Sequence, residues 1–316
     1  MVKEKNMPDK NFEANKVVTL LNKWAEDSDT VISIKFVKKI KKIVNEPQMT
    51  MELKRNILKM QIPYIEKELE KNNLVNYDPL GCMDNEIELI DAEKVISIDS
   101  RDEANVNYLA EINEKKFDWG SVDYYVVSVE KGEEVIKLYR QFPKLRRLRK
   151  GIFLQAFMDE LVQMESEFIG LDESVDILEW EGKLIIFNHI ALERIFGYKD
   201  LFERNTVKAL SIIRENNIFA DMDMFEQDCM RNVRIMKRLT SVVLKNRLKL
   251  FFDNYDKVPE IVKENNLKID FDAGGKIVYK DKTELYRITN LMADSYFRSL
   301  LLDRLGVAKL EGNMEE

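Results

Sequence analysis

Two long stretches of this sequence contain basic residues but no carboxylate. The first lies between Glu134 and Asp159, the second lies between Asp228 and Asp253, and each contains seven lysine or arginine residues. The chain has a net charge of −7 and the two stretches together carry +14, so the remainder carries −21. Charge segregated in this way is typical of a protein that meets a polyanion through one surface. The two runs together predict a phosphate-binding surface, and the alternative for each run alone is a solvated helix or strand face.

The second basic run is predicted to be one amphipathic helix over residues 229–252. At 100° per residue, five of its cations fall within an arc of about 60°, with apolar residues mostly on the opposite side. These five residues, the cationic ridge, are Arg231, Arg234, Arg238, Lys245 and Lys249. Like charges at these spacings repel one another, so the ridge favours an anionic neighbour. Two neighbours stay open: an acidic patch of the same chain, or the phosphates of a nucleic acid.

The first basic run is predicted to be a loop or strand entry, because Pro143 interrupts it. Its candidate phosphate-binding residues are Lys144, Arg146, Arg147, Arg149 and Lys150. Clustered arginines on an exposed connection suit contacts to phosphate, while the absence of interleaved aromatic residues gives no sign of base stacking. We therefore expect binding to the nucleic-acid backbone without sequence preference.

A group of acidic residues raises the alternative of a Mg²⁺-dependent nuclease. Such enzymes use carboxylate oxygens to hold the metal ion and a nearby lysine to stabilise charge on the phosphate. Here the candidate ligands are Asp176 and Glu181, followed by Lys183, but Glu181-Gly182-Lys183 also fits the turn of a hairpin. His189 is the one histidine, which excludes sites that need two. We favour the turn, and predict no catalytic residue, metal or cofactor.

Composition sets the broad class of the protein. The 316 residues are 45% hydrophobic, which is ample for a packed core, and contain only two cysteines, Cys82 and Cys229. Two distant cysteines give no disulfide framework, so a reducing cytoplasm is expected. The polar N-terminal sequence does not resemble a signal peptide, and no uncharged apolar run approaches the ~18 residues of a membrane helix.

Hydrophobic periodicity predicts an α+β protein with three sequence regions. Residues 1–85 form a helical N-terminal region, residues 86–310 form an α+β domain, and residues 311–316 form an acidic tail. Within the first region we predict helices at 17–24, at 34–44, from Met51, and again from Pro63. Within the domain we predict a helix at 101–114, an antiparallel sheet, a helical C-terminal half, a late hairpin at 267–280 and a last helix at 283–305.

Two blocks of sequence resemble the KwaB family of bacterial anti-phage defence proteins, part of the Kiwa system. The first block, residues 174–202, has an aspartate, two strands, an asparagine and then a helix. The second block, residues 268–310, has a hairpin followed by a helix. The residues that carry the resemblance are Asp176, Asn188, Glu193, Ile195, Phe196, Leu291, Asp294, Tyr296 and Ser299. The helical first 85 residues are the part of the chain that the resemblance covers least.

The resemblance implies a DNA-binding effector that impedes phage DNA replication and late transcription. It also implies a membrane partner, KwaA, which would recruit a cytoplasmic protein to the inner membrane, and self-association into a homodimer or larger homo-oligomer. Duplex DNA is the expected ligand, and the family supplies no catalytic residues. Two alternatives stay open: a Mg²⁺-dependent nuclease, and a protein-binding scaffold that does not contact DNA.

Overall fold

A computed structural model gives the fold of the chain. It describes residues 13–39, 43–95, 107–108, 119–142, 154–157, 160–163, 169–298 and 305–307. The helices are α1 (Ala14–Glu26), α2 (Met51–Lys71), α3 (Ala92–Val95), α4 (His189–Phe196), α5 (Lys199–Glu215), α6 (Asp223–Met230), α7 (Val233–Leu244), α8 (Arg247–Asp253), α9 (Val258–Glu264) and α10 (Leu285–Met292). None of these described helices is both long enough and apolar enough to span a bilayer.

The strands are short and occur throughout the chain. They are β1 (Val31–Lys38), β2 (Ile43–Asn45), β3 (Asn73–Asn76), β4 (Glu86–Asp91), β5 (Asn107–Tyr108), β6 (Tyr124–Lys131), β7 (Glu134–Gln141), β8 (Leu154–Phe157), β9 (Glu160–Gln163), β10 (Ile177–Trp180), β11 (Lys183–Ile186), β12 (Asp270–Phe271), β13 (Ile277–Val278), β14 (Tyr296–Arg298) and β15 (Leu305–Val307). This mixture of helices and mostly antiparallel strands confirms the predicted α+β class.

The chain divides into two compact units, and each draws on both sides of residue 85. The sheet unit takes its described residues from 11–72 and 91–196, and the helical unit takes its described residues from 73–90 and from 197 onward. The predicted division of the sequence at residues 85–86 stays a prediction.

The sheet unit is built on the strand order β11-β10-β7-β6-β1-β2-β5. Neighbouring strands are antiparallel except for β2 and β5, which are parallel. The hairpins β6–β7 and β10–β11 turn at Gly132 and at Glu181-Gly182, where φ is positive. The turn at Glu181-Gly182 confirms the hairpin that the sequence predicted there, and glycine adopts the positive φ of both turns without steric cost. Helices α1 and α2 pack together in the same unit.

Part of the predicted helical N-terminal region is wrong. Ile32, Ile34 and Phe36 are buried at alternate positions, which is the two-residue period of a strand, so this segment is β1 rather than a helix. Helix α2 is continuous through Pro63, and it begins after Thr50, whose hydroxyl accepts a hydrogen bond from the Leu53 N–H at 3.2 Å. The helix predicted at 101–114 is contradicted at Asn107–Tyr108, which pairs with β2, and most of that segment lies outside the described residues.

The helical unit has its own core. Phe225, Ile235, Leu239, Ile277 and Ile288 are fully buried in it. The predicted late hairpin is confirmed as β12–β13, and β3 and β4 pair in parallel in the same unit. The predicted last helix at 283–305 is wrong beyond Met292, since the chain continues into β14 and β15, which pair with each other.

The single helix predicted over residues 229–252 is three helices. Helix α6 ends at Met230, and Asn232 caps α7 by accepting hydrogen bonds from the Arg234 and Ile235 N–H groups at 3.1 and 3.4 Å. Asn246 separates α7 from α8 in a left-handed conformation with φ of 55°. Asparagine is favoured at N-caps and tolerates positive φ, so both breaks have a local cause. The basic residues of the predicted ridge therefore lie on two helices, α7 and α8, and on the connections that precede and follow α7.

Candidate nucleic-acid interface

The basic cavity lies at the N-terminus of α7. It has a volume of about 380 Å³ and is lined by Asp228, Arg231, Asn232, Val233, Arg234, Lys282, Leu285 and Tyr286. Arg231 stands in the connection before α7, Arg234 lies in its first turn, and Lys282 comes from the segment that precedes α10. Arg231 and Arg234 are exposed, and neither forms an ion pair with another residue in the described part of the chain. The three cations face a helix end that already favours anions.

A buried carboxylate moderates the charge of the basic cavity. Asp228 is about nine-tenths buried, and the Tyr279 hydroxyl donates to its Oδ2 at 2.9 Å. Burial and this contact raise the pKa of Tyr279, which therefore stays protonated and donates. The Nζ of Lys282 lies 3.7 Å from Asp228 Oδ1 and remains largely exposed. Three cations and one carboxylate leave the cavity with a net charge of +2, which favours an anionic ligand.

Arg238 occupies a different environment from Arg231 and Arg234. It is half-buried, its guanidinium lies 5.9 Å from the centroid of the Tyr286 ring, and burial lowers its pKa. Its Nε is buried and makes no hydrogen bond within the described residues. Arg238 therefore supports the ring of Tyr286. It does not extend into solvent, as the predicted cationic ridge required.

Two other members of the predicted ridge already have acidic partners. The Nζ of Lys245 lies 2.6 Å from Asp78 in a largely buried pair, and the Nζ of Lys249 lies 2.8 Å from Asp253 on the surface of α8. Lys237, from the same run, lies over the ring of Phe202. The sequence left open whether the anionic neighbour of the ridge belongs to the same chain, and for Lys245 and Lys249 it does. Two other residues of the ridge, Arg231 and Arg234, lie together in the basic cavity.

Replacing Lys245 by methionine is expected to destabilise the protein by about 2 kcal/mol. That value lies between the cost of breaking an exposed pair and a fully buried one, because Lys245 and Asp78 retain only a fifth or less of their side-chain exposure. Urea denaturation followed by circular dichroism measures the change. Lys249→Met, which breaks the exposed pair, is the matched control, and equal losses for both variants would contradict the prediction.

The candidate residues of the first basic run, Lys144, Arg146, Arg147, Arg149 and Lys150, lie outside the described residues. Two earlier members of that run are described and belong to the sheet unit. The Nζ of Lys137 lies 3.8 Å from Glu179, and Arg140 donates to Asp172 and Asp176. These acidic partners neutralise Lys137 and Arg140 within the unit.

The residues considered for a nuclease site are not brought together. Asp176 and Glu181 stand at opposite ends of β10, about 16 Å apart at the usual rise per strand residue. Asp176 accepts hydrogen bonds from Arg140, Gln141 and Asn188, whereas Glu181 forms the hairpin turn that the sequence predicted. His189 starts α4 with its Nε2 3.5 Å from Glu193. Within the described ranges, no three His, Cys, Asp or Glu residues are grouped as metal ligands.

Lys282 and Tyr286 are the residues of the cavity that the sequence did not identify. They lie about 50 residues from Arg231 and Arg234 in the sequence, and the packing of α10 against α7 brings them to the cavity. A local signal was present in Lys280 and Lys282, which flank Asp281 after the hairpin. That signal is too short to distinguish from an ordinary charged turn.

The chain combines an α+β fold with a basic cavity in its helical unit, and these two features make it a candidate polyanion-binding protein. A family model described as Kiwa protein KwaB-like matches residues 120–301, more than half of the chain, and the protein therefore belongs to that family. Membership implies a component of Kiwa anti-phage defence. The chain is similar to Kiwa protein KwaB of Escherichia coli O55:H7 (strain RM12579 / EPEC), with 21% identity over 198 residues. The match covers 60% of this chain and 62% of that relative, so the chain spans about three fifths of its length. No solved structure matches.

Proposed function

We propose that this protein binds DNA without sequence preference, and that it impedes phage DNA replication and transcription through that binding. The observation that carries the proposal is the basic cavity, where Arg231, Arg234 and Lys282 surround the N-terminus of α7. Basic side chains and helix N-termini are the groups that proteins use to hold phosphate. They carry no base-reading information, which fits the absence of sequence preference.

The charge of the whole chain supports the same function. A protein of net charge −7 repels DNA over most of its surface, so an approaching duplex is directed to the positions where cations are concentrated. Arg231 and Arg234 belong to a run of 24 residues without a carboxylate, and their guanidinium groups offer bidentate contacts to phosphate oxygens.

The partners of the protein are part of the proposal and rest on the family. We propose that it acts in the cytoplasm as a homodimer or larger homo-oligomer, and that the membrane protein KwaA recruits it to the inner membrane. Self-association would place more than one basic cavity along the same DNA. Light scattering of the purified protein tests the oligomer, and co-purification with KwaA after nuclease treatment tests the recruitment.

The salt dependence of binding tests the DNA contact. Isotherms are measured for two duplexes of unrelated sequence at several salt concentrations. If three phosphates are contacted, the slope of log affinity against log salt is about −2.7, and affinity falls about 40-fold between about 50 and about 200 mM salt. Both duplexes should give the same affinity within about threefold, because backbone contacts are shared by every sequence. A flat salt dependence, or a strong preference for one duplex, would contradict the proposal.

Two further outcomes separate the alternatives. Supercoiled plasmid is incubated with the protein and Mg²⁺, and it is expected to stay intact while being retarded on a gel. Nicking or linearisation that disappears when Mg²⁺ is chelated would favour the nuclease. Failure to retard DNA, together with capture of protein partners that survives nuclease treatment, would favour the scaffold.

A further inference from the structure

We infer that the basic cavity receives one unpaired nucleotide at the end of a DNA strand. Its phosphate is held by Arg231, Arg234 and Lys282, and its base lies against Tyr286 and Val233. This inference rests on the proposed DNA binding and narrows it to a substrate class, DNA with unpaired ends. Three features of the cavity support it: its concave shape, the exposed apolar groups in its lining and its buried carboxylate.

The shape of the cavity favours a discrete ligand over a duplex backbone. A continuous row of cations on one helix would follow the regularly spaced phosphates of a duplex, but the ridge is divided between two helices, α7 and α8, and their connections. Instead, three cations surround a concave space of about 380 Å³, which falls within the range of small-ligand sites. A concave site of that volume can enclose a nucleotide that has left the duplex.

The lining of the cavity includes apolar surface that a phosphate alone would not use. Tyr286 is 37% exposed and Val233 is 50% exposed, although both are large hydrophobic residues next to a well-packed core. Bases within a duplex are stacked and paired, so they cannot contact these side chains, whereas an unpaired base can. The stacking of a base on an aromatic ring is worth about 1–3 kcal/mol and tolerates any sequence. The guanidinium of Arg238 near the Tyr286 ring helps to hold the ring in place.

The buried carboxylate gives the cavity an acceptor besides its donors. A site for phosphate alone would gain nothing from Asp228, because a carboxylate repels the ligand. Asp228 is fixed by the Tyr279 hydroxyl and lies beside Lys282. A nucleotide presents both an anionic phosphate and the N–H groups of its base, and carboxylates accept hydrogen bonds from such groups. The mixed composition of the cavity therefore matches a nucleotide.

Paired DNA ligands test the inference. One ligand is a dumbbell, a duplex whose two strands are joined at each end by a covalent linker without bases. The other ligand is the same duplex with open ends and a 5′-phosphorylated overhang of a few nucleotides. The overhang is expected to bind about tenfold more tightly than the dumbbell, within the range of one stacked base. Tyr286→Ala should lower the ratio of overhang affinity to dumbbell affinity from about tenfold to about one, while Tyr286→Phe, which keeps the ring, should retain the tenfold ratio.

The outcomes distinguish this inference from the proposed function. Equal binding of dumbbell and overhang by the unaltered protein would overturn the inference and leave DNA binding intact, whereas failure to bind either ligand would overturn both. Displacement of the overhang by micromolar free dAMP would also overturn it, since the cavity would then be a site for a free nucleotide. If Tyr286→Ala does not fold, the inference is still tested by the comparison of the two ligands and by the Tyr286→Phe variant.

Discussion

Replacing Arg231 and Arg234 together by glutamate is expected to weaken duplex DNA binding about 100-fold or more. Each guanidinium is exposed in the basic cavity and free of ion pairs within the described residues, so its charge is available to phosphate. Two charge-assisted hydrogen bonds worth about 1.5–3 kcal/mol each account for a loss of this size. The slope of log affinity against log salt should also become shallower by about 1.8, which corresponds to two lost phosphate contacts. Fluorescence anisotropy at several salt concentrations measures both quantities.

The control for this double variant changes the same charge elsewhere in the helical unit. Lys208 on α5 and Lys263 on α9 are exposed and do not line the basic cavity. Reversing both of them to glutamate should weaken binding less than about threefold, because screened charges distant from the contact act only through the general field. Equal losses for the two double variants would show that net charge, and not the cavity, governs binding. Arg238 is left unaltered, since a glutamate at that half-buried position would unfold the unit.

The sequence predicted those parts of the fold that local chemistry determines. The turn at Glu181-Gly182 has positive φ, and both the hairpin around it and the late hairpin β12–β13 were predicted correctly. The segment that became β1 was misassigned, because its lysines and apolar residues also fit a helical period. Its conformation is decided by β6, which lies nearly a hundred residues away in sequence and pairs with it along most of its length. Propensity within a short window cannot supply that information.

The candidate site shows the same division between local and long-range information. The basic composition of the second run was visible in the sequence, and so were Asn232 and Asn246, the residues that precede its helices α7 and α8. Treating the run as one helix placed Lys245 and Lys249 on a common ridge with Arg231, whereas the fold gives them acidic partners. The acidic partner of Lys245 comes from a distant segment, as do Lys282 and Tyr286, so packing within the helical unit selects which cations remain available.

Replacing Arg140 by methionine is expected to destabilise the sheet unit by about 3–5 kcal/mol, the cost of leaving a buried charge without its partner. Asp176 is 2% exposed, and its carboxylate accepts hydrogen bonds from Arg140 Nη1 at 2.9 Å, the Gln141 N–H at 2.6 Å and Asn188 Nδ2 at 2.9 Å. Arg140 also donates to Asp172, and these two carboxylates raise its pKa. The three tryptophans, Trp24, Trp119 and Trp180, all lie in the sheet unit, so tryptophan fluorescence in urea reports on its unfolding.

Two comparisons determine whether the buried charge is the cause. Lys137→Met breaks only the 3.8 Å pair with Glu179, and it should cost less than about 1 kcal/mol. Adding Asp176→Leu to Arg140→Met removes the unpaired carboxylate and should restore part of the lost stability, giving a coupling energy of about 1–3 kcal/mol. Simple additivity of the two changes would contradict this explanation. Asp176 and Asn188 are among the residues that carry the family resemblance, and their hydrogen bond joins β10 to the start of α4. The stability of the fold then explains their presence in the family pattern, and the proposed DNA binding is assigned to the other unit.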